Sequence, residues 1–150
     1  MTDVDSEQSG PWPKPGVSAA VFDGPRVLLV QRAKPPFQDA WSLPGGHIHP
    51  GETALAAAER ELLEETHIRA DLEGVLDVRD VILYREDGTL DRHYVITVFF
   101  GRWREGEARP ASDARDVRWA GLDELDGLNV TEGAQSVIRA ALSRLQAAAP

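Results

Sequence analysis

Hydrophobic positions follow two rhythms along the chain. Apolar runs at residues 17–22 and 27–31 flank Asp23-Gly24-Pro25 and predict two strands joined by a tight turn. Residues 75–85 and 93–103 are rich in β-branched and aromatic side chains, and the Glu86-Asp87-Gly88-Thr89 between them carries an Asp-Gly turn signal. These two segments are predicted to pair antiparallel, and residues 117–120 to form a short further strand. Over residues 53–66 the period changes: Leu55, Ala58 and Leu62 recur at spacings of three and four, predicting a helix with that stripe turned inward. Its alanines allow close packing on a sheet. Thr131 is the predicted cap of a last helix, in which Val137, Ile138, Ala141, Leu142 and Leu145 keep helical spacing. Strands on both sides of an early helix, with a second helix at the end, predict an α+β fold, an α/β/α sandwich. No internal repeat interrupts the pattern.

Residues 1–15 are polar and proline-rich, which predicts a flexible N-terminal arm. An unordered arm is the favoured reading, and packing of Trp12, between two prolines, on the domain or on a partner subunit is its alternative. Residues 16–150 are of ordinary size for a single domain with a real core. The formal charge of -9 argues against a general nucleic-acid binder, which needs a basic patch to neutralise phosphates. A small phosphorylated ligand stays allowed, because a bound metal ion inverts the local charge logic. Without cysteine there is no disulfide framework, zinc-thiolate site or thiol nucleophile. MTDVDSEQSG lacks the basic and apolar regions of a signal peptide, and no apolar run approaches a membrane span. The expectation is a soluble, cytoplasmic protein with no membrane or nucleic-acid partner.

Candidate chemistry concentrates in GGHIHPGETALAAAERELLEETHI, residues 45–68. Side chains three and four apart share a helix face, so Glu61, Glu64 and Glu65 are expected to converge while Arg60 pairs with Glu64. Converging carboxylates repel one another unless a cation joins them. Mg2+ suits such a set, since it prefers oxygen ligands and bridges one or two carboxylates to substrate phosphates. A phosphate-bearing substrate follows. Taken alone, ERELLEE also reads as a solvated acidic helix; the upstream Trp41-Ser42-Leu43-Pro44-Gly45-Gly46 and the Gly51-Glu52 turn decide against that.

The order Gly46, five residues, Glu52, seven residues, Arg60-Glu61-Leu62, Glu64-Glu65 and His67-Ile68 closely resembles the signature of the Nudix hydrolases. His67 stands where that family has Gly, at a position after the helix where a left-handed backbone is common and His is tolerated. The resemblance reaches from about Val17 to about Leu125 and implies the Nudix fold, a mixed central sheet with flanking helices. It also implies a Mg2+-dependent hydrolase, with Mn2+ able to substitute. The implied metal ligands are Glu61, Glu64, Glu65 and a backbone carbonyl of the glycine pair, assigned to Gly46 with Gly45 as the other choice. Glu61 and Glu64 are also candidate catalytic groups, and Arg60 is the residue expected to orient the carboxylates. Glu52 has a structural or a catalytic role open to it. The general base in this family sits on the signature helix or in a distal loop. Here that loop, between Trp103 and Trp119, holds Glu105, Glu107, Asp113 and Asp116, and Asp113 is preferred because it lies six residues before Trp119.

Arg32 and Arg92 resemble nucleotide-contact positions, with Arg79 as a third substrate-binding candidate; arginine holds phosphate in a bidentate fork. His47, His49, His67 and His93 show no zinc-ligand spacing. Trp41 and Trp119 are expected in the core, and Phe37 is free to touch a ligand. The run Arg92-His93-Tyr94-Val95, with Gly101-Arg102-Trp103 after it, resembles small bacterial ADP-ribose pyrophosphatases. The implied reaction is hydrolysis of the pyrophosphate bond of a nucleoside diphosphate derivative, ADP-ribose first. A (d)NTP pyrophosphatase acting on oxidised nucleotides is the nearest alternative, and a nucleotide-sensing domain without turnover is the alternative of another class. The partner is a small-molecule nucleotide, and the resemblance also implies a possible homodimer.

Overall fold

The computed structural model describes residues 12–148. In chain order these form β1 (Lys14–Asp23), β2 (Arg26–Arg32), β3 (Trp41–Ser42), β4 (Gly45–His47), α1 (Ala54–Thr66), β5 (Arg69–Tyr84), β6 (Leu90–Glu105) and β7 (Ala114–Gly121). A 3-10 turn at Leu122–Gly127 and α2 (Ala134–Ala148) complete them. The strands build one mixed seven-stranded sheet.

Strand alternation explains the layers. On β1, Ala19 and Val21 pack with Leu28, Leu62 and Ile68, and Val17 packs with Ala57 and Ala58, so these odd positions face α1. Ala20 and Phe22 instead join Val27, Leu29, Ile138, Ala141 and Leu145, so the even positions face α2. A strand buried on both faces must be apolar at successive positions, which is why residues 17–22 read as an unbroken run. Phe22, Leu28, Leu62 and Ile138 are fully buried, and each such side chain stabilises the fold by roughly 1.5–3 kcal/mol.

The sheet is split, and the split positions the site. One edge of β1 pairs parallel with β6 from Lys14 against Tyr94 to Phe22 against Arg102. The other edge is shared: β4 takes Gly16 to Ser18, and β2 takes only Phe22 and Asp23. From there β2 diverges to pair with β7, and with β3 at Val30 and Gln31.

Several expected boundaries move. Order begins ahead of residue 16, because Lys14 and Pro15 already pair with Tyr94 and Val95 and Trp12 packs edge-on against the Tyr94 ring. Residues 1–11 of the expected arm lie outside the described residues. β5 starts six positions before the predicted 75, since Ala70 and Leu72 alternate inward among the charged Arg69, Asp71 and Glu73. Register shifts along β5 leave Val75, Val78 and Ile82 exposed on this edge strand.

Leu55 is exposed, contrary to the inward stripe; the buried face is Ala57, Ala58, Leu62 and Thr66. Helical spacing fixes azimuth but not what lies beneath each turn, and at the first turn Ala54 is the residue that packs on the cluster of Val17 and Phe99. Thr53 caps α1, its hydroxyl accepting from Ala56 N–H at 3.0 Å. Thr131 does not cap α2 in this way: its backbone carbonyl accepts from Ala134 N–H at 3.1 Å, and the helix starts three residues later. His67 adopts φ 65°, donates its backbone N–H to Leu63 O at 3.0 Å, and fixes its ring by Nδ1 on Arg109 O.

Candidate active site

Gly45 and Gly46 lie in a strand, not in a tight turn. A Cβ on Gly45 would collide with the Val17 carbonyl, and one on Gly46 would fall inside the Glu61 carboxylate. Both glycines therefore serve close approach: one lets β4 lie against β1, the other makes room for a helix side chain. Gly45 N–H donates to Glu65 Oε1 at 3.0 Å. A strand residue turns its N–H and C=O to the same edge, so the Gly45 carbonyl also faces away from β1. Pro44 O accepts from Ala19 N–H and Ile48 N–H donates to Pro15 O, which puts Gly46, two residues from each, among the positions bonded to β1. Of the two backbone oxygens assigned to the site, the register favours Gly45 over Gly46.

Burial raises the carboxyl pKa of Glu61, and it pushes that of Glu65 up to about 7 against the opposing hydrogen bond from Gly45. The neighbouring charge of Glu64 adds to the first shift and that of Glu61 to the second.

Arg60 organises the opposite side. Its Nε donates to Glu52 Oε2 at 2.7 Å and its Nη2 to Glu52 Oε1 at 3.0 Å, a bidentate fork. Nη2 also reaches His47 O at 2.9 Å, and Nη1 reaches Glu64 Oε1 at 2.9 Å and Glu61 Oε2 at 3.3 Å. Hydrogen bonding to Arg60 pulls Glu52 down to about 2, helped by His49 N–H, and the same pairing pushes Arg60 further up. Glu52 is thereby tied to a structural ion pair.

The expected convergence of three carboxylates is not met. Glu61 and Glu65, four apart, line the cleft, whereas Glu64 is half exposed on the flank and held by Arg60. Among the described residues, no three acidic or histidine side chains gather closely enough to hold an ion as they stand.

The cleft opens where β1 exchanges β4 for β2, on the α2 side of the sheet, with a volume of about 710 Å³. It brings together Glu61, Glu65, Arg32, Arg79, Arg92 and Asp113. Arg32 Nε is anchored on Pro36 O at 2.6 Å, and Arg79 Nη1 on Gly133 O at 3.1 Å. Asp113 is exposed and pairs with Lys34 Nζ at 3.1 Å. Glu105, Glu107 and Asp116 do not enter the lining. Phe37 does, at positive φ. Trp41 joins the core under α2 and Trp119 packs against the cluster under α1, while Trp103 is exposed with Nε1 on Gly106 O.

Lys34, His47, Tyr94 and Glu132 also line the cleft without having been singled out as site residues. Lys34 was the most legible of them, two residues past a candidate phosphate arginine in the loop before the glycines. Burial, followed by the charge of Lys14, holds His47 below its ordinary value.

Half-buried glutamates and arginines lining one cleft of a mixed-sheet sandwich suit a protein built to handle phosphate anhydrides. A family model for the NUDIX domain matches residues 12–141, so the chain belongs to the NUDIX family. A Mycobacterium tuberculosis protein named putative 8-oxo-dGTP diphosphatase 2 is 37% identical over 114 residues, covering 71% of this chain and 80% of that protein. The ADP-ribose pyrophosphatase of Methanocaldococcus jannaschii is 30% identical over 117 residues, covering 77% and 66%. The crystal structure of a MutT NUDIX hydrolase from Burkholderia pseudomallei matches with a TM-score of 0.74 at 28% identity, over 85% of this chain and 97% of that one. The protein is a Nudix pyrophosphohydrolase, of a family that acts on small-molecule nucleotides. Among the described residues no helix is long and apolar enough to cross a membrane.

Proposed function

We propose that the protein hydrolyses the pyrophosphate bond of a nucleoside diphosphate derivative, ADP-ribose first, with Mg2+ as its cofactor. The observation that carries this reading is the pairing of two half-buried carboxylates, Glu61 and Glu65, with Arg32 and Arg79 in one cleft. The donors fit the ion: all are oxygens, and burial raises the Glu65 carboxyl to about 7 against the opposing pull of the Gly45 N–H and the Arg32 charge. Glu61 and Glu65 would hold the metal with a glycine backbone carbonyl, and Glu64 would join once released from Arg60. Bound there, Mg2+ would neutralise phosphoryl charge and acidify a water.

The chain's own groups supply the rest. Arg32 and Arg79 bind phosphoryl oxygens, each already fixed by a backbone carbonyl. Arg60 holds the carboxylates of Glu52, Glu61 and Glu64 in place and is a positioning residue. Asp113, at the mouth of the cleft, accepts the proton of the attacking water. A new P–O bond forms to that water, the bridging P–O bond breaks, and its electrons leave on the departing phosphate.

The relative named for 8-oxo-dGTP favours a second reading, an oxidised (d)NTP pyrophosphatase using the same groups. ADP-ribose, dNTPs and 8-oxo-dGTP assayed with Mg2+ and Mn2+ separate the two: the higher kcat/KM identifies the substrate class. No turnover of any of them, with retained binding, would leave a sensing domain.

A further inference from the structure

The cleft continues well past the glutamates. β6 presents Arg92, Tyr94, Ile96 and Val98 to it and β5 presents Arg79, Val81 and Leu83. The register sets Arg79 beside Ile96, Val81 beside Tyr94 and Leu83 beside Arg92, so these side chains form a two-strand shelf. Gly46, against the Glu61 carboxylate, pairs with Val17, which pairs with Thr97. Tyr94 is thus three residues along β6 from the acid end, roughly 10 Å, and Arg92 five, roughly 16 Å. α2 enters the lining only through its start, at Ala134 and Val137, and contributes nothing further along.

Hydrolysis of an anhydride at the glutamates draws on Arg79 at the near end of this surface and leaves Val81, Leu83, Tyr94 and Ile96 without a part in the reaction. The shelf is apolar at Val81, Leu83 and Ile96, and its one aromatic ring is braced. Trp12 meets Tyr94 edge-on, with centroids 5.5 Å apart and planes at 89°, and the His47 ring stands 5.8 Å away at 50°. Lys14 Nζ lies 4.9 Å over the Trp12 ring, and Lys14 pairs with Tyr94 across β1 and β6. Such packing removes rotational freedom from a tyrosine that nonetheless faces the cleft, as a stacking surface requires.

We propose that this shelf receives the nucleobase of the substrate, with Tyr94 as its stacking platform and Trp12 as the residue that positions Tyr94. This rests on the reading of the cleft as a nucleotide pyrophosphohydrolase site and adds where specificity resides. A base about one pentose away from its diphosphate spans the interval from the acid end to Tyr94. Trp12 determines specificity from outside the lining, by fixing the platform.

The test compares Tyr94→Leu, Tyr94→Phe and Trp12→Leu with the unsubstituted protein, on ADP-ribose and on base-free 5-phosphoribosyl diphosphate, and by AMP titration of tryptophan fluorescence. A base stacked on an aromatic side chain contributes enough that its loss weakens binding about tenfold. Tyr94→Leu is therefore expected to raise KM for ADP-ribose about tenfold more than for the base-free substrate, with a much smaller change in kcat. Tyr94→Phe rescues, and Trp12→Leu shows a smaller KM effect of the same kind and loses the AMP-induced fluorescence change. Equal KM changes on both substrates, or an AMP affinity that Tyr94→Leu does not weaken, overturn the shelf. Absence of turnover by the unsubstituted protein would instead overturn the hydrolase reading, and the AMP titration would still decide the shelf.

Discussion

Glu65 holds an opposed pair of demands, and replacing it with glutamine separates them. Its carboxyl is pushed from the ordinary 4.5 up to about 7, chiefly by burial, while the Gly45 N–H pulls the other way. A folded-state value above the unfolded one means that the folded chain binds the extra proton. The associated stability is fully present below about pH 4.5 and is lost as pH rises through 7. The difference of about 2.5 pH units corresponds to about 3 kcal/mol of ionisation cost at pH 8. Glutamine keeps an oxygen for Gly45 and carries no charge. Glu65→Gln is therefore expected to stabilise the metal-free protein by about 3 kcal/mol at pH 8, or roughly 6–12 °C in midpoint for a chain of this size. At pH 4.5 the gain should vanish. Thermal unfolding in chelator between pH 4.5 and 8.5 reads this directly, and adding Mg2+ should stabilise the unsubstituted protein and not the variant. Activity of the variant should fall to a small residue. A variant no more stable than its parent at pH 8, or a parent whose midpoint does not change over this window, would refute the reasoning.

The two glycines should separate fold from function. Gly45→Ala strikes the β1 backbone and is expected to cost roughly 3 kcal/mol by urea unfolding. Gly46→Ala displaces a side chain that can swing, so turnover should drop about a hundredfold with much less loss of stability; equal stability losses would contradict the distinction. Arg60→Ala removes charged hydrogen bonds to Glu52, Glu64 and the His47 carbonyl and is expected to cost about 2 kcal/mol. Arg60→Lys should not restore the fork, and full rescue by lysine would show that charge alone suffices. Because Arg60 holds Glu52 down to about 2, the stability from that pair should be complete above about pH 4.5 and disappear as pH falls towards 2, a loss that Glu52→Gln abolishes. Asp113→Asn should lower kcat without changing the midpoint; an unchanged rate would reject the distal base and move that role to α1.

What the sequence disclosed and what it withheld divide along the range of the interactions involved. His67 and the Arg60–Glu64 spacing are local, set within one or two helical turns, and the left-handed turn and the ion pair follow from them. The two-sided burial of residues 17–22 was legible for the same reason, because continuous apolarity needs two covering layers. Long-range facts were not. Leu55 shares its azimuth with Leu62, yet one is exposed and the other buried, because what each turn meets is set by residues remote in sequence. Gly45 and Gly46 carry the composition of a turn; pairing with Val17 and Ser18, remote in sequence, turns them into a strand. That pairing matters chemically. With side chains on β4, α1 and the cleft would be walled apart; without them, Glu61 reaches the space where Gly46 has no Cβ and Glu65 meets Gly45 N–H. The acidic helix supplies the carboxylates, but it is the bare strand beside it that admits them to the cleft.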